Sequence, residues 1–284
     1  MQRKLLHTPE GVRDIYNSEC ARKLILHENL HGLLKKYGYH AIETPTFEFF
    51  DIFSREIGTT PSKDLYKFFD REGNTLVLRP DITPSIARCA AKYYGDEEFP
   101  VRLCYMGNTF INNSSYQGRL KETTQLGAEL IGDNSVAADA EILALVVNAL
   151  KTAGLKEFQI GVGHAGFFRG LAEAASLEED TEQELTELIA NKNFFGVEEL
   201  LDSLHLPCEL KELFSMLGNI CMTGEMMARA KELSAKFPAV LHALGRLEKL
   251  AAVLQHYRVE NYISIELGML SSYHYYTGII FAGY

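Results

Sequence analysis

A chain of 284 residues with 46% hydrophobic content carries enough apolar material for one large core or two modest ones. Its formal net charge of −10 opposes nonspecific attraction to a polyanion, because lysine and arginine must displace counterions there; this weighs against a nucleic-acid partner. No run of about 18 apolar residues is present to span a membrane, and the polar start MQRKLLHTPEG lacks a secretory apolar stretch, so a cytoplasmic protein is expected.

Five cysteines with no C-x-x-C pair suggest neither a disulfide framework nor a zinc site, and they are expected to be reduced and mostly buried. HTPEGVRDIY at residues 7 to 16 reads as an entry loop. A helix follows from about Ser18 to Tyr37, with Leu24, Leu30, Leu33 and Leu34 near helical spacing and Gly38 as its stop. YHAIETPTFEFF predicts a short strand and a proline turn into another helix. LYKFFD, the turn REGN and TLVLRP predict a hairpin, since two β-prone runs surround a Gly-Asn turn signal. In DITPSIARCAAKYY, Thr83 suits a helix N-cap and Pro84 the first helical position. That start places Asp81 and Thr83 at a strand end beside free backbone donors, a place suited to a bound ligand; Asp81 as a plain helix cap is the alternative.

Arg102 to Gly132 holds two alternating runs around a long polar loop, the pattern of a β-hairpin. In its second run Thr124, Leu126, Ala128 and Leu130 share one face, which is expected to meet a core. Gln125, Gly127, Glu129 and Ile131 share the other, where the missing side chain of Gly127 leaves room for a small polar ligand; a solvated face is the alternative. DNSVAADAEILALVVNALKTAGL predicts a helix starting at Asn134 or Ser135 and stopping at Gly154, and FQIGVGH a strand. From Phe167 to about Arg258 the texture is acidic and helical, read as an insertion in which Met222, Met226 and Met227 serve packing. YISIEL and YHYYTGIIFAGY return to strand character. No Gly-rich phosphate loop, metal-ligand cluster or nucleophile elbow stands out, so neither metal nor cofactor is expected.

Four stretches together resemble the catalytic core of histidyl-tRNA synthetase in order and spacing over nearly the whole chain. They are TPEGVRDIY at 8 to 16, LRPDITPSIAR at 78 to 88, TQLGAELIG with the QGRLKE before it, and YHYYTGIIF at 273 to 281. The resemblance implies an α+β fold: a class II aminoacyl-tRNA synthetase-like antiparallel sheet flanked by helices, with a helical insertion. Residues 1–166 would form the first part of the core and 167–258 the insertion. Residues 259–284 would be core strands that rejoin the sheet of the central hairpin. YGYHAIETPTFE resembles the first class II motif, which implies a homodimer; a plain helix and strand inside a monomer is the alternative. The sequence stops at Tyr284 inside a strand, before any third class II motif, so a truncated chain or a shortened family member is expected.

A class II synthetase lets the amino-acid carboxylate attack the α-phosphate of ATP, and positioned cations stabilise the charge. Counting back fourteen residues from Gln125, the first family arginine falls on Ile111, and the acidic residue two places on becomes Asn113. Counting back five from Tyr276, the second falls on Ser271. Arg79 and Arg119 remain, the first as a sheet anchor and the second as a candidate phosphate contact.

The amino-acid side is kept by resemblance: Asp81 at the position that holds the ammonium of histidine, Thr83 beside it, Gln125 and Glu129 meeting the ligand, and Tyr275 and Tyr276 as an aromatic wall. A carboxylate facing an imidazole accepts its ring N–H and favours its charged form. Tyr273 and His274 stand where the synthetase has Leu-Asp, and His274 is given no role. A histidine pocket without the activating arginines resembles the regulatory subunit of ATP phosphoribosyltransferase, which serves a separate short catalytic subunit in the first step of histidine biosynthesis. That resemblance implies a non-catalytic protein that binds histidine, needs no tRNA, and forms a homodimer core within a hetero-oligomer with the short subunit. A histidyl-tRNA synthetase catalytic fragment is the alternative, and Ile111 and Ser271 count against it.

Overall fold

The computed structural model describes residues 6–54, 60–96, 100–113, 118–219, 221–270 and 276–284. It divides into two compact units, residues 1–133 with 148–153 and residues 134–147 with 154–284. Among the described residues no helix is long and apolar enough to cross a membrane.

The first unit opens with α1 (Asn17–Lys36), which carries Lys35 and Lys36 at its negative end and is followed by Gly38 in a left-handed conformation. Leu34 is its buried leucine, whereas Leu24, near the same helical spacing, is largely exposed. β1 (His40–Ala41) follows, and then the structure departs from expectation. TPTFEF runs into a strand, β2 (Phe47–Phe49), before the short helix α2 (Asp51–Ser54). Phe-Glu-Phe alternation explains this, because it puts Glu48 on the inner face and both phenylalanines on the other. β3 (Lys67–Phe69) and β4 (Thr75–Leu78) form the expected hairpin, with Asp70 accepting from the backbone and side chain of Asn74 at its turn. The sheet order is β2-β4-β3, antiparallel throughout.

Helix α3 (Thr83–Tyr93) leads to the long hairpin of β5 (Val101–Phe110) and β6 (Glu122–Ile131). Its register runs from Val101 opposite Ile131 to Phe110 opposite Glu122, and β1 lies parallel to β5 on the far side. The two faces of β6 are used differently from expectation. The buried cluster Ile82, Ile86, Val101, Leu103 and Tyr105, with Ile131 against it, lies on the side of Gln125 and Glu129. Leu126, Ala128 and Leu130 are half-buried. β5 supplies the apolar groups that this face of β6 lacks, so α3 packs over the polar face instead of leaving it open.

Ser135 caps α4 (Val136–Thr152), of which residues 136–147 belong to the second unit, accepting from Ala138 N at 3.1 Å as the sequence leads one to expect. The strands β7 (Ile160–His164), β8 (Ile263–Ile265) and β9 (Ile279–Gly283) form a sheet of order β8-β7-β9. β8 and β9 thus pair with β7, whereas pairing with the hairpin sheet was the expectation; among the described residues β6 is the edge of its own three-stranded sheet. Between β7 and β8 run α5 (Ala165–Ala174), α6 (Glu179–Ala190), α7 (Phe194–Ser203), α8 (Cys208–Ser215), α9 (Gly224–Leu233) and α10 (Pro238–Tyr257). Phe167, Leu171, Leu213, Phe214, Leu244 and Leu247 form their fully buried interior. Helices α5 and α10 meet closely at Gly170, where a Cβ would stand 3.1 Å from Val240. Arg246 of α10 holds Asp139 of α4 at 2.6 Å. Met222 and Met227 are buried, in keeping with packing roles. Of the five unpaired cysteines only Cys104 is buried; Cys208 and Cys221 are exposed, contrary to expectation, because they sit at a helix start and in a connecting loop.

Candidate functional site

The end of β4 and the start of α3 bring Asp81 and Thr83 against the Gln125 and Glu129 side chains of β6. Asp81 Oδ1 accepts from Gln125 Nε2 at 3.0 Å and from Thr83 N at 3.3 Å, while Ile82 N donates to Gln125 Oε1 at 3.3 Å. Asp81 therefore meets the first backbone N–H of α3 and also orients Gln125. Thr83 does not cap the helix with its side chain. Its hydroxyl donates to Glu129 Oε1 at 2.8 Å, since Thr83 is itself the first helical residue and Ile82 stands at the cap position. The four predicted residues of this region thus form one hydrogen-bonded cluster.

Tyr105, not singled out from the sequence, completes it by donating its hydroxyl to Glu129 Oε1 at 3.3 Å. The hairpin register sets Tyr105 opposite Gly127, and a Cβ on Gly127 would lie 2.3 Å from the Tyr105 ring. The space above Gly127 is filled by that ring, which corrects the expectation of an empty place for a ligand. Pairing a large aromatic across from a glycine is a familiar device of sheets. Counting the register outward from the loop was the signal that could have found Tyr105.

Burial pushes the Glu129 carboxyl above its ordinary value; the Thr83 and Tyr105 hydroxyls pull it back, and the charge of Asp81 pushes it further up. Burial, followed by the Glu129 charge, also raises the Tyr105 phenol, so that it stays a donor. Asp81 Oδ2 and Glu129 Oε2 accept no hydrogen bond among the described residues. The sealed and unpartnered side-chain atoms among the described residues are Ser85 Oγ and Asn113 Oδ1, so both of those carboxylate edges reach solvent. The arrangement offers two anionic acceptors and an amide to a small cationic or zwitterionic ligand.

Arg119 is exposed in the segment before β6 and lies outside this cluster's hydrogen bonds. Tyr276 belongs to the second unit, where its carbonyl accepts from Arg169 Nη2 at 3.2 Å. Tyr275, like Ser271, Tyr273 and His274, lies outside the described residues. Ile111 is half-buried at the mouth of the hairpin, its N–H donating to Lys121 O at 2.9 Å, so an aliphatic side chain stands at the first arginine position. No cluster of three or more histidine, cysteine or acidic residues suited to a metal occurs among the described residues. A cavity of about 440 Å³ adjoins the other face of the hairpin at Lys23, His27 and Leu126.

Comparison with known proteins bears on the whole chain. A family model described as histidyl-tRNA synthetase matches residues 11–284. A protein of Ruminiclostridium cellulolyticum named ATP phosphoribosyltransferase regulatory subunit is 40% identical over 284 residues, covering 100% of this chain and 68% of the relative. One of the same name from Acetivibrio thermocellus is 39% identical over 282 residues, covering 98% and 66%. The chain thus spans about two thirds of the length of these relatives. Among solved structures, an ATP phosphoribosyltransferase regulatory subunit/histidyl-tRNA synthetase from Bacillus halodurans superposes with a TM-score of 0.89 at 33% identity, covering 99% of this chain and 73% of the other.

Proposed function

The chain belongs to the family of ATP phosphoribosyltransferase regulatory subunits, with the class II synthetase-like α+β fold, and from that premise we propose that it is a non-catalytic subunit that activates a short ATP phosphoribosyltransferase. The observation that carries the reading is a contrast between the hairpin's kept cluster with the α3 start and its lost cation. Asp81, Thr83, Gln125 and Glu129 are assembled into one cluster, while Ile111 leaves the α-phosphate position without its cation. The ligand of that cluster is histidine: Asp81 takes the ammonium group and Glu129 an imidazole N–H. Without catalytic groups of its own, the protein acts by binding the active state of its partner more tightly than the inactive one. It works in the cytoplasm, and residues 167–258 serve as an insertion into the synthetase-like core.

A homodimer through β2 and its neighbours is part of the same proposal. Phe47 and Phe49 of β2 and Phe68 of β3 share one face of the β2-β4-β3 sheet and are 51%, 57% and 37% exposed. Phe47 and Phe68 already pack edge to face at 5.7 Å, which makes a contiguous apolar patch of the kind that a second subunit covers. The alternative, a histidyl-tRNA synthetase core, has the family model in its favour and Ile111 against it.

The decisive experiment is to assay phosphoribosyl transfer by the short subunit with and without this protein, and with histidine added. Activity that depends on this protein is expected; full activity of the short subunit alone under the same conditions overturns the reading.

A further inference from the structure

The strand end that delivers Asp81 also delivers Arg79, which is only 7% exposed. Its Nε donates to Asn108 O and its Nη1 to Thr44 O, both at 2.8 Å, and these bonds fix the plane of the rigid guanidinium fork. Its Nη2 has no hydrogen-bond partner among the described residues. That atom is not among the sealed ones, so it is open to a ligand. It lies over Gly107, where a Cβ would come within 2.3 Å of it, and Gly107 is opposite Gln125 in the hairpin register. A free N–H edge of a buried cation therefore sits on the same face as Gln125, whose amide is held by Asp81.

We propose that Arg79 Nη2 takes the α-carboxylate of the ligand while Asp81 takes its ammonium group, so that the site reads the zwitterion of an α-amino acid and not the side chain alone. This rests on the histidine reading of the cluster. An α-amino acid carries its two charges on one carbon, and a cation and an anion two residues apart at one strand end match that demand. A charge-assisted bond away from bulk water is among the stronger polar contacts. Burial lowers the Arg79 pKa, with Glu43 and Glu48 opposing, and among the described residues its hydrogen bonds go to backbone oxygens and the Thr44 hydroxyl, not to a carboxylate. Sheet anchoring and ligand binding use different nitrogens of the one guanidinium, which lets Arg79 do both.

Calorimetric titration of the whole protein with histidine and with histidinol, which keeps the imidazole and ammonium but lacks the carboxylate, tests the assignment. Wild type is expected to bind histidine about tenfold to a hundredfold more tightly than histidinol. Gly107→Ala, whose methyl displaces Nη2, should bring histidine down to the level of histidinol and leave histidinol unchanged. Asp81→Asn should weaken both ligands alike. Equal binding of the two ligands by wild type overturns the Arg79 assignment and leaves the histidine reading standing, as does a ratio unchanged in a folded Gly107→Ala. Failure of folded wild type to bind either ligand removes the histidine reading and this proposal with it. Should Gly107→Ala not fold, wild type with histidine methyl ester as a second probe decides alone, since the ester must bind as weakly as histidinol.

Discussion

Glu129 is held by two hydroxyl donors in a site that resists its charge, and the two effects pull in opposite directions. Its carboxyl titrates above the ordinary 4.5, so the stability tied to its protonated form is complete below about that pH and is lost as pH rises through the raised value. Glu129→Gln removes the buried charge and keeps an oxygen for Thr83 and Tyr105. Thermal melts should show the variant at least as stable as wild type at neutral pH, with that advantage gone below about pH 4.5. The same change removes a charge-assisted bond worth about 1.5 to 3 kcal/mol to a ligand N–H, so histidine affinity should fall about tenfold to over a hundredfold in calorimetry. Unchanged affinity would place the ligand elsewhere. Gly127→Ala acts by steric means: its methyl meets Tyr105, and overpacking of this kind costs roughly 1 to 3 kcal/mol. Denaturant melts measure that loss, and a neutral result would mean that the Tyr105 ring moves freely.

At the scale of elements, His164 ends β7 and caps α5, its Nδ1 accepting from Gly166 N at 3.0 Å. That bond needs the neutral ring. Burial, then the neighbouring His242 and Arg246, pull its pKa down from 6.5 to about 4. The stability it contributes is complete above about 6.5 and is lost as pH falls toward 4. His164→Asn keeps a capping acceptor that does not titrate, so its melting temperature should depend less on pH in that window than that of wild type; identical pH profiles would deny His164 this role. The sheet face of Phe47, Phe49 and Phe68 makes its own prediction. Phe49→Asp places a charge on the patch while Glu48, on the inner face, keeps its bonds to Arg88. Sedimentation is expected to show a dimer for wild type and a monomer of unchanged fold for the variant, whereas a wild-type monomer at high concentration would refute a dimer through this face.

For the whole molecule, the exchange of labelled pyrophosphate into ATP with histidine present separates a regulator from a synthetase. Removing one positioned donor commonly costs about a hundredfold to a thousandfold in rate, and two arginine positions are Ile111 and Ser271 here. No exchange above a no-protein control is expected. Clear turnover would restore the synthetase reading and undo the regulatory one.

The order of segments and the departures at Ile111 and Ser271 were legible in the sequence, because motif order and residue type need no coordinates. So were the hairpins, the Ser135 cap and the helical run after β7, since turn residues, capping side chains and periodicity act over a few positions. Local pattern could not say which face of β6 meets the core, because that depends on what β5 and α3 bring from elsewhere. Nor could it say that Tyr105 fills the space over Gly127, which follows from a register counted across two strands. Arg79 looked like an anchor from its sequence neighbours; only the fold, by laying its Nη2 over Gly107 on the Gln125 face, separates the nitrogens that hold the sheet from the one left free. Contacts between residues far apart in the chain are set by packing, and packing is decided by the tertiary structure.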